Sequence, residues 1–120
     1  MPVRAVRGAT TIERDERDHI STRVRALVEE LFARNQLTTE DAISLVVTAT
    51  DDIHSFHPAT AARACGLSDV PILGARELAV DGTLPRCIRL LLHVETDRPR
   101  GEIVHVFLED AVQLRPDLVR

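Results

Sequence analysis

Apolar residues recur at Ile20, Val24, Leu27, Val28, Leu31 and Phe32, three and four positions apart with charged residues between them. This spacing predicts an amphipathic helix of about five turns over residues 15–35. Ahead of it, residues 3–11 alternate loosely and are rich in β-formers, which predicts a first strand ending near Ile12. Thr38-Thr39-Glu40-Asp41 reads as a helix start or a turn, and it leads into a second strand over residues 42–50 that Asp51-Asp52 ends. Pro58 suits the first position of a short helix through Ala64, with Gly66 placed to cap it and Arg63 on its last turn. Further strands are predicted over residues 70–78 and 87–95, with Asp81-Gly82 as a turn between them. Arg98-Pro99-Arg100-Gly101 is a surface turn. Residues 104–109 and 111–114 read as closing strand, before Arg115-Pro116-Asp117 stops regular structure.

The strands over residues 42–49 and 87–94 are apolar on both faces, so the sheet needs cover on both sides. One long helix covers only one side. The other is expected to bury against copies of the same chain, which would set residues of different subunits beside one another. The fold class expected is α+β, a mixed β-sheet with one long and one short helix. At 120 residues and 13.3 kDa the chain is expected to form a single domain over residues 1–120.

Charge narrows the function classes. A net charge of -4 with a sequence pI near 5.7 gives no nucleic-acid footprint, and the absence of Trp and Tyr removes stacking platforms. No apolar run approaches the roughly 20 residues of a membrane span, and the N-terminus has no signal-peptide core, so a cytoplasmic protein is expected. Cys65 and Cys87 have no CxxC spacing and read as free thiols. All 15 Lys+Arg residues are arginine, which is explained more simply by biased composition than by chemistry, so only the positions of the arginines carry information.

One position does. Arg89 lies inside Cys87-Ile88-Arg89-Leu90-Leu91-Leu92-His93-Val94, an otherwise almost uncharged strand. Taking an unpaired guanidinium out of water costs several kcal/mol, so the residue implies an anionic partner. That partner is an internal carboxylate or a ligand, unless the side chain snorkels past the strand edge. No serine or cysteine stands in a nucleophile elbow, and glycine-rich phosphate loops are absent. His54 and His57 are three apart but fall in a loop without a third ligand, so no metal site is expected. What remains is a dispersed set: Arg7 at the end of the first strand, Arg63 on the short helix, Arg89 mid-strand, Arg115 near the C-terminus, and Glu77 at a strand end. Several planar forks without a nucleophile or metal suit a polyanionic small molecule, although any one of these arginines taken singly is better read as a solvated surface residue.

Four segments, Arg4-Ala5-Val6-Arg7-Gly8-Ala9-Thr10-Thr11, Ala49-Thr50-Asp51-Asp52-Ile53-His54, Cys87-Ile88-Arg89 and Leu114-Arg115-Pro116-Asp117-Leu118, together resemble the AroH class of monofunctional chorismate mutases. The resemblance spans nearly the whole chain. It implies a chorismate mutase II-like, or bacillus-type, architecture in which mixed sheets form a trimeric pseudo-barrel, with active sites between subunits. It also implies the Claisen rearrangement of chorismate to prephenate on the route to phenylalanine and tyrosine, without cofactor, metal or covalent intermediate. A non-catalytic binder of chorismate or prephenate is the alternative.

By the same resemblance, Arg89 would meet the ether oxygen of the breaking bond, Arg7 a substrate carboxylate, and Glu77 the ring hydroxyl. His57, Ala59, Thr60 and Arg63 would come from the adjacent subunit, Ile72 and Leu73 would line the cleft wall, and Leu114 with Arg115 would cover it. Three positions depart from the pattern: Phe107 stands where a tyrosine is common, His57 where a phenylalanine is common, and Gly74 where a cysteine often appears. Phe107 keeps the ring but lacks a hydroxyl donor. Around residues 66–69 the chain is one residue shorter than the pattern.

Overall fold

The computed structural model describes residues 1–114. In chain order these form strand β1 (Val3–Thr11), helix α1 (Arg17–Arg34), β2 (Ala42–Ala49), helix α2 (Pro58–Arg63), β3 (Ile72–Arg76), β4 (Cys87–Glu95) and β5 (Val106–Phe107). Short 3-10 turns lie at Thr39–Asp41, Arg100–Glu102 and Glu109–Gln113. The strands make one mixed sheet in the order β3-β2-β4-β1-β5. Central β4 runs antiparallel to β1 and β2, while β3 joins β2 and β5 joins β1 in parallel. Among the described residues no helix is long and apolar enough to cross a membrane.

Alternation along the strands divides the sheet into two unlike faces. Ile88, Leu90, Leu92 and Val94 of β4, with Val6, Leu45 and Val47, point to the helix side and are at most 2% exposed. There they meet Ile20, Val24, Leu27, Val28 and Leu31 of α1, the predicted apolar stripe, in one core. Helix and strand lie close: a Cβ at Gly8 would stand 3.2 Å from Leu27 Cδ1 and from both Leu31 Cδ atoms. The end of α1 is pinned by Asn35, which donates to the carbonyls of Leu31 and Val104 and accepts from the Val104 amide at 2.7 Å.

The other face carries Arg7, Ser44, Val46, Arg89, Leu91 and His93, all half-buried, and neither helix packs against it, although the last 3-10 turn covers Ala9 and Cys87 at one end. Leu91 and Val46 are the apolar residues behind the expectation of two-sided strands. They are left wet here because both helices pack on the opposite face.

Three expectations need correction. Arg7 is not at the end of β1 but in its middle, opposite Leu91 of β4. The strand expected over residues 70–78 shortens to Ile72–Arg76, the residues in register with β2, with single ladder bonds involving Pro71 and Glu77 at its two ends. The closing strand over residues 104–109 reduces to Val106–Phe107, and residues 111–114 are not strand. Leu108 donates to Ala9 O at 2.9 Å, after which β1 has little left to pair. Glu109 then turns through φ 53° and Asp110 donates to Thr11 Oγ1, so the chain coils and buries Ala111 against Ala9, Cys87 and Phe107.

Candidate active site

Arg89 projects from β4 onto the open face, with Thr48 of β2 opposite on one side and Ala9 of β1 on the other. Its side chain is 33% exposed, and its Nε lies 3.6 Å from Glu77 Oε1. That distance is an ionic contact, not a hydrogen bond. Nε is buried and has no hydrogen-bond partner among the described residues. Glu77 follows β3 directly, and its amide donates to Ala49 O at 2.9 Å, which extends the β2–β3 ladder and brings the carboxylate over Thr48. Thr48 Oγ1 donates to Glu77 Oε1 at 2.5 Å. The anionic partner that Arg89 implied is therefore Glu77, itself a site candidate, and the pair faces the uncovered side of the sheet.

The start of β4 is built by side chains. Thr50 Oγ1 accepts from the Cys87 amide at 3.0 Å and donates to Asp52 Oδ1 at 2.6 Å. Asp52 in turn accepts the Arg86 amide at 3.0 Å, which holds Arg86 at φ 49° where β4 begins. Two residues further on, Arg89 inherits this registration. Cys87 is wholly buried, and burial pushes its thiol pKa up against the pull of the Arg89 guanidinium. It stays a thiol at neutral pH and is not a nucleophile.

Arg7 shares the open face with Arg89, one step along the β1–β4 register. Its guanidinium carbon lies 5.8 Å from the centre of the Phe107 ring, and its amide donates to His105 Nδ1 at 3.0 Å. Phe107 is 5% exposed and clusters with Ala9, Cys87 and Ala111, against which Leu114 packs. Thus Arg7, Glu77, Arg89, Phe107 and Leu114 gather on or beside one surface. Arg115 lies outside the described residues.

The remaining candidates form a second group that the fold of one chain keeps apart. His57 caps α2, Ala59 is on its first turn, and Thr60 and Arg63 are exposed along it. Gly74 joins this group, since a Cβ there would meet Ala59 Cβ at 3.5 Å. Together with Phe56 and Arg76, residues His57, Ala59 and Gly74 line a hollow of about 590 Å³ to which neither Arg7 nor Arg89 contributes. Ile72 and Leu73 do not share a wall within the chain. Ile72 packs on the helix-side core, whereas Leu73 points to the open face and is 66% exposed.

Several residues that shape the site carry no sequence signal of their own. Asp15, just ahead of α1, accepts the His54 and Ser55 amides at 2.9 and 3.0 Å, and Arg17 lies 4.9 Å from the Phe56 ring, so α1 fixes the loop that delivers His57. Thr48 was the one residue findable in principle, because strand parity puts a polar residue of β2 beside a charge on β4 once their register is known.

The model of the family chorismate mutase type I matches residues 3–118. Chorismate mutase AroH of Bacillus subtilis (strain 168) is 41% identical over 119 residues, covering 98% of this chain and 94% of its own. Chorismate mutase AroH of Thermus thermophilus is 43% identical over 117 residues, covering 97% and 96%. Among solved structures, a chorismate mutase from Clostridium thermocellum superposes with a TM-score of 0.86 at 37% identity, over 89% of this chain and 96% of that one. Of the two architectural labels expected from the sequence, the bacillus-type one agrees with these matches.

Proposed function

The chain belongs to the type I chorismate mutase family, and we propose that its reaction runs on the open face of the sheet, with Arg89 meeting the transition state and Glu77 and Arg7 holding the substrate. The enzyme is an isomerase that rearranges chorismate to prephenate. In this rearrangement one carbon–oxygen bond breaks while one carbon–carbon bond forms within the same molecule. No proton, electron or group is exchanged with the protein. Two tasks are left to side chains: keeping the enolpyruvyl arm folded over the ring, and favouring the negative charge that grows on the ether oxygen.

Arg89 suits the second task, and the observation that carries the reading is its buried, unpaired Nε held 3.6 Å from Glu77. A fixed donor aimed at developing charge contributes about 2.7–4 kcal/mol and needs no reorganisation during the reaction. Arg7 and Glu77 suit the first task, as a carboxylate clamp and an acceptor for the ring hydroxyl; such positioning is itself a large source of rate.

One chain leaves His57, Ala59, Thr60, Arg63 and Ile72 away from this cluster, with Leu73 at its far edge. We place them against the Arg89 cluster of a neighbouring copy, in a homotrimer whose clefts lie between subunits. The reading is supported by the uncovered face, the edge strand β3, and the exposure of Val3 (53%) and Leu73 (66%). Leu114 and Arg115 would cover the cleft. A cytoplasmic location suits two unpaired cysteines, Cys65 and Cys87.

The test is to add chorismate and follow its loss together with the appearance of prephenate. Wild-type protein is expected to turn it over and to sediment as three copies. Arg89→Ala is expected to lose turnover while keeping its circular dichroism and its sedimentation. Undiminished turnover in Arg89→Ala would overturn the site assignment, and binding without conversion by the wild type would overturn the activity.

A further inference from the structure

We propose that Thr48 is a positioning residue: its hydroxyl keeps the Glu77 carboxylate from closing onto Arg89 and so leaves the arginine Nε free for substrate. The inference rests on the roles given to Arg89 and Glu77 above.

Glu77 Oε1 has two suitors. Thr48 Oγ1 donates to it at 2.5 Å, while Arg89 Nε stays 3.6 Å away. An arginine and a carboxylate left to themselves settle at about 2.7–2.9 Å, often through two parallel bonds. Here the guanidinium side does not, although its Nε is buried and lacks any partner among the described residues. An unpaired buried donor is an unfavourable arrangement that a small movement of Glu77 would relieve. The hydroxyl opposes that movement.

Thr48 is well placed to do so. It stands directly opposite Arg89 in the β2–β4 register and opposite Ala75 in the β2–β3 register, so its backbone is fixed from both sides. β-Branching restricts its χ1, which fixes where the hydroxyl points. With Oε1 engaged by Thr48, Oε2 remains for the substrate's hydroxyl, and Nε remains for the ether oxygen. Without the hydroxyl, the carboxylate and guanidinium form a closed pair that the substrate must open before it binds. A closed pair lowers the fraction of competent sites, and apparent affinity falls by that fraction.

The experiment is steady-state kinetics on the assembled enzyme with Thr48→Val, which keeps the shape and removes the hydroxyl. KM is expected to rise roughly 10- to 100-fold while kcat changes by no more than about threefold. Thr48→Ser is expected to restore KM, which a packing role would not allow. In a Glu77→Gln background, where no carboxylate remains to close, Thr48→Val is expected to add nothing. Thr48→Ala carries the same expectation as the valine variant should that one fail to fold. A wild-type KM in Thr48→Val, equal losses in the serine and valine variants, or a full additional loss in the Glu77→Gln background would each overturn the proposal. Turnover surviving in Arg89→Ala would instead overturn the site assignment on which it rests.

Discussion

Replacing Arg89 with lysine keeps the charge and removes the fork, which makes it a sharper test of mechanism than removal of the side chain. The backbone of β4 is held by both neighbours at this position, opposite Ala9 and Thr48, so the substitution moves only the side-chain head. A lysine ammonium sits near where the guanidinium carbon was, about 1.3 Å from the position of Nε, and puts a methylene where Nε stood. A misplacement of about 1 Å at a reacting centre costs about 100-fold, and the loss of one aimed donor costs about 2.7–4 kcal/mol. A second effect acts in the same direction. Glu77 Oε1 lies only 3.6 Å from the present Nε, and a compact ammonium with three rotatable donors would swing toward it. Both effects put kcat/KM of Arg89→Lys at least about 100-fold below wild type. Folding should barely register the change, because the side chain is 33% exposed and its contact with Glu77 is not a hydrogen bond. Such a partly exposed pair contributes about 1 kcal/mol or less, a few degrees in Tm. Initial rates of chorismate loss, measured beside thermal melts and sedimentation of the same samples, separate the two quantities. A lysine variant within about tenfold of wild type would refute the reasoning, since neither the fork nor the placement of Nε would then matter.

Phe107→Tyr is expected to lower KM roughly 2- to 100-fold with kcat little changed, by adding a hydroxyl donor beside Arg7, whose guanidinium carbon lies 5.8 Å from the ring centre; an unchanged KM would contradict it. Gly8→Ala is expected to destabilise by about 1–2 kcal/mol, because its Cβ would meet three leucine methyls at 3.2 Å; overpacking of about 1–3 kcal/mol exceeds the roughly 0.4–1 kcal/mol gained from a stiffer unfolded chain, and an equal or higher Tm would contradict it. Asp15 supplies a pH dependence. Burial raises its pKa, but the amides of His54 and Ser55 and the Ser55 hydroxyl outweigh this, so the folded carboxyl lies below its ordinary value of 3.8. A depressed folded pKa means stability that is present above the unfolded value and lost as pH falls through the folded one. Wild type should therefore lose more Tm than Asp15→Asn as pH drops below about 4, and parallel curves would show that the Asp15 contacts do not contribute.

The elements written most plainly in the chain were those set by local periodicity. The stripe from Ile20 to Phe32 could be only one face of a helix, and α1 forms there. The run from Cys87 to Glu95 became β4 at those same bounds because it carries a continuous apolar pattern ended by turn residues. The C-terminal region misled. Val104 to Leu114 has strand-like composition, but composition does not report that β1 ends at Thr11 and leaves the segment little to pair with. In the site, Arg89 was conspicuous because charge is costly in a strand, and Glu77 came with the family pattern. Thr48 and Asp15 had no role assigned and Asp52 stood only as the end of a strand and within the family pattern, since a threonine in a strand or an aspartate beside a turn is ordinary until its partner is known.

What the residues alone decide is which groups are available and on which side of each strand they stand, because side-chain alternation and helical pitch are properties of the local backbone. They could therefore declare an arginine out of place and a strand apolar on both faces. Register belongs to the folded molecule. Only the pairing of β4 with β2 puts Thr48 opposite Arg89, only the parallel addition of β3 swings Glu77 over both, and only the packing of both helices on one face leaves the other open. These are contacts between residues roughly 30–40 positions apart, chosen by how the whole apolar surface buries, and no short window of the chain encodes them.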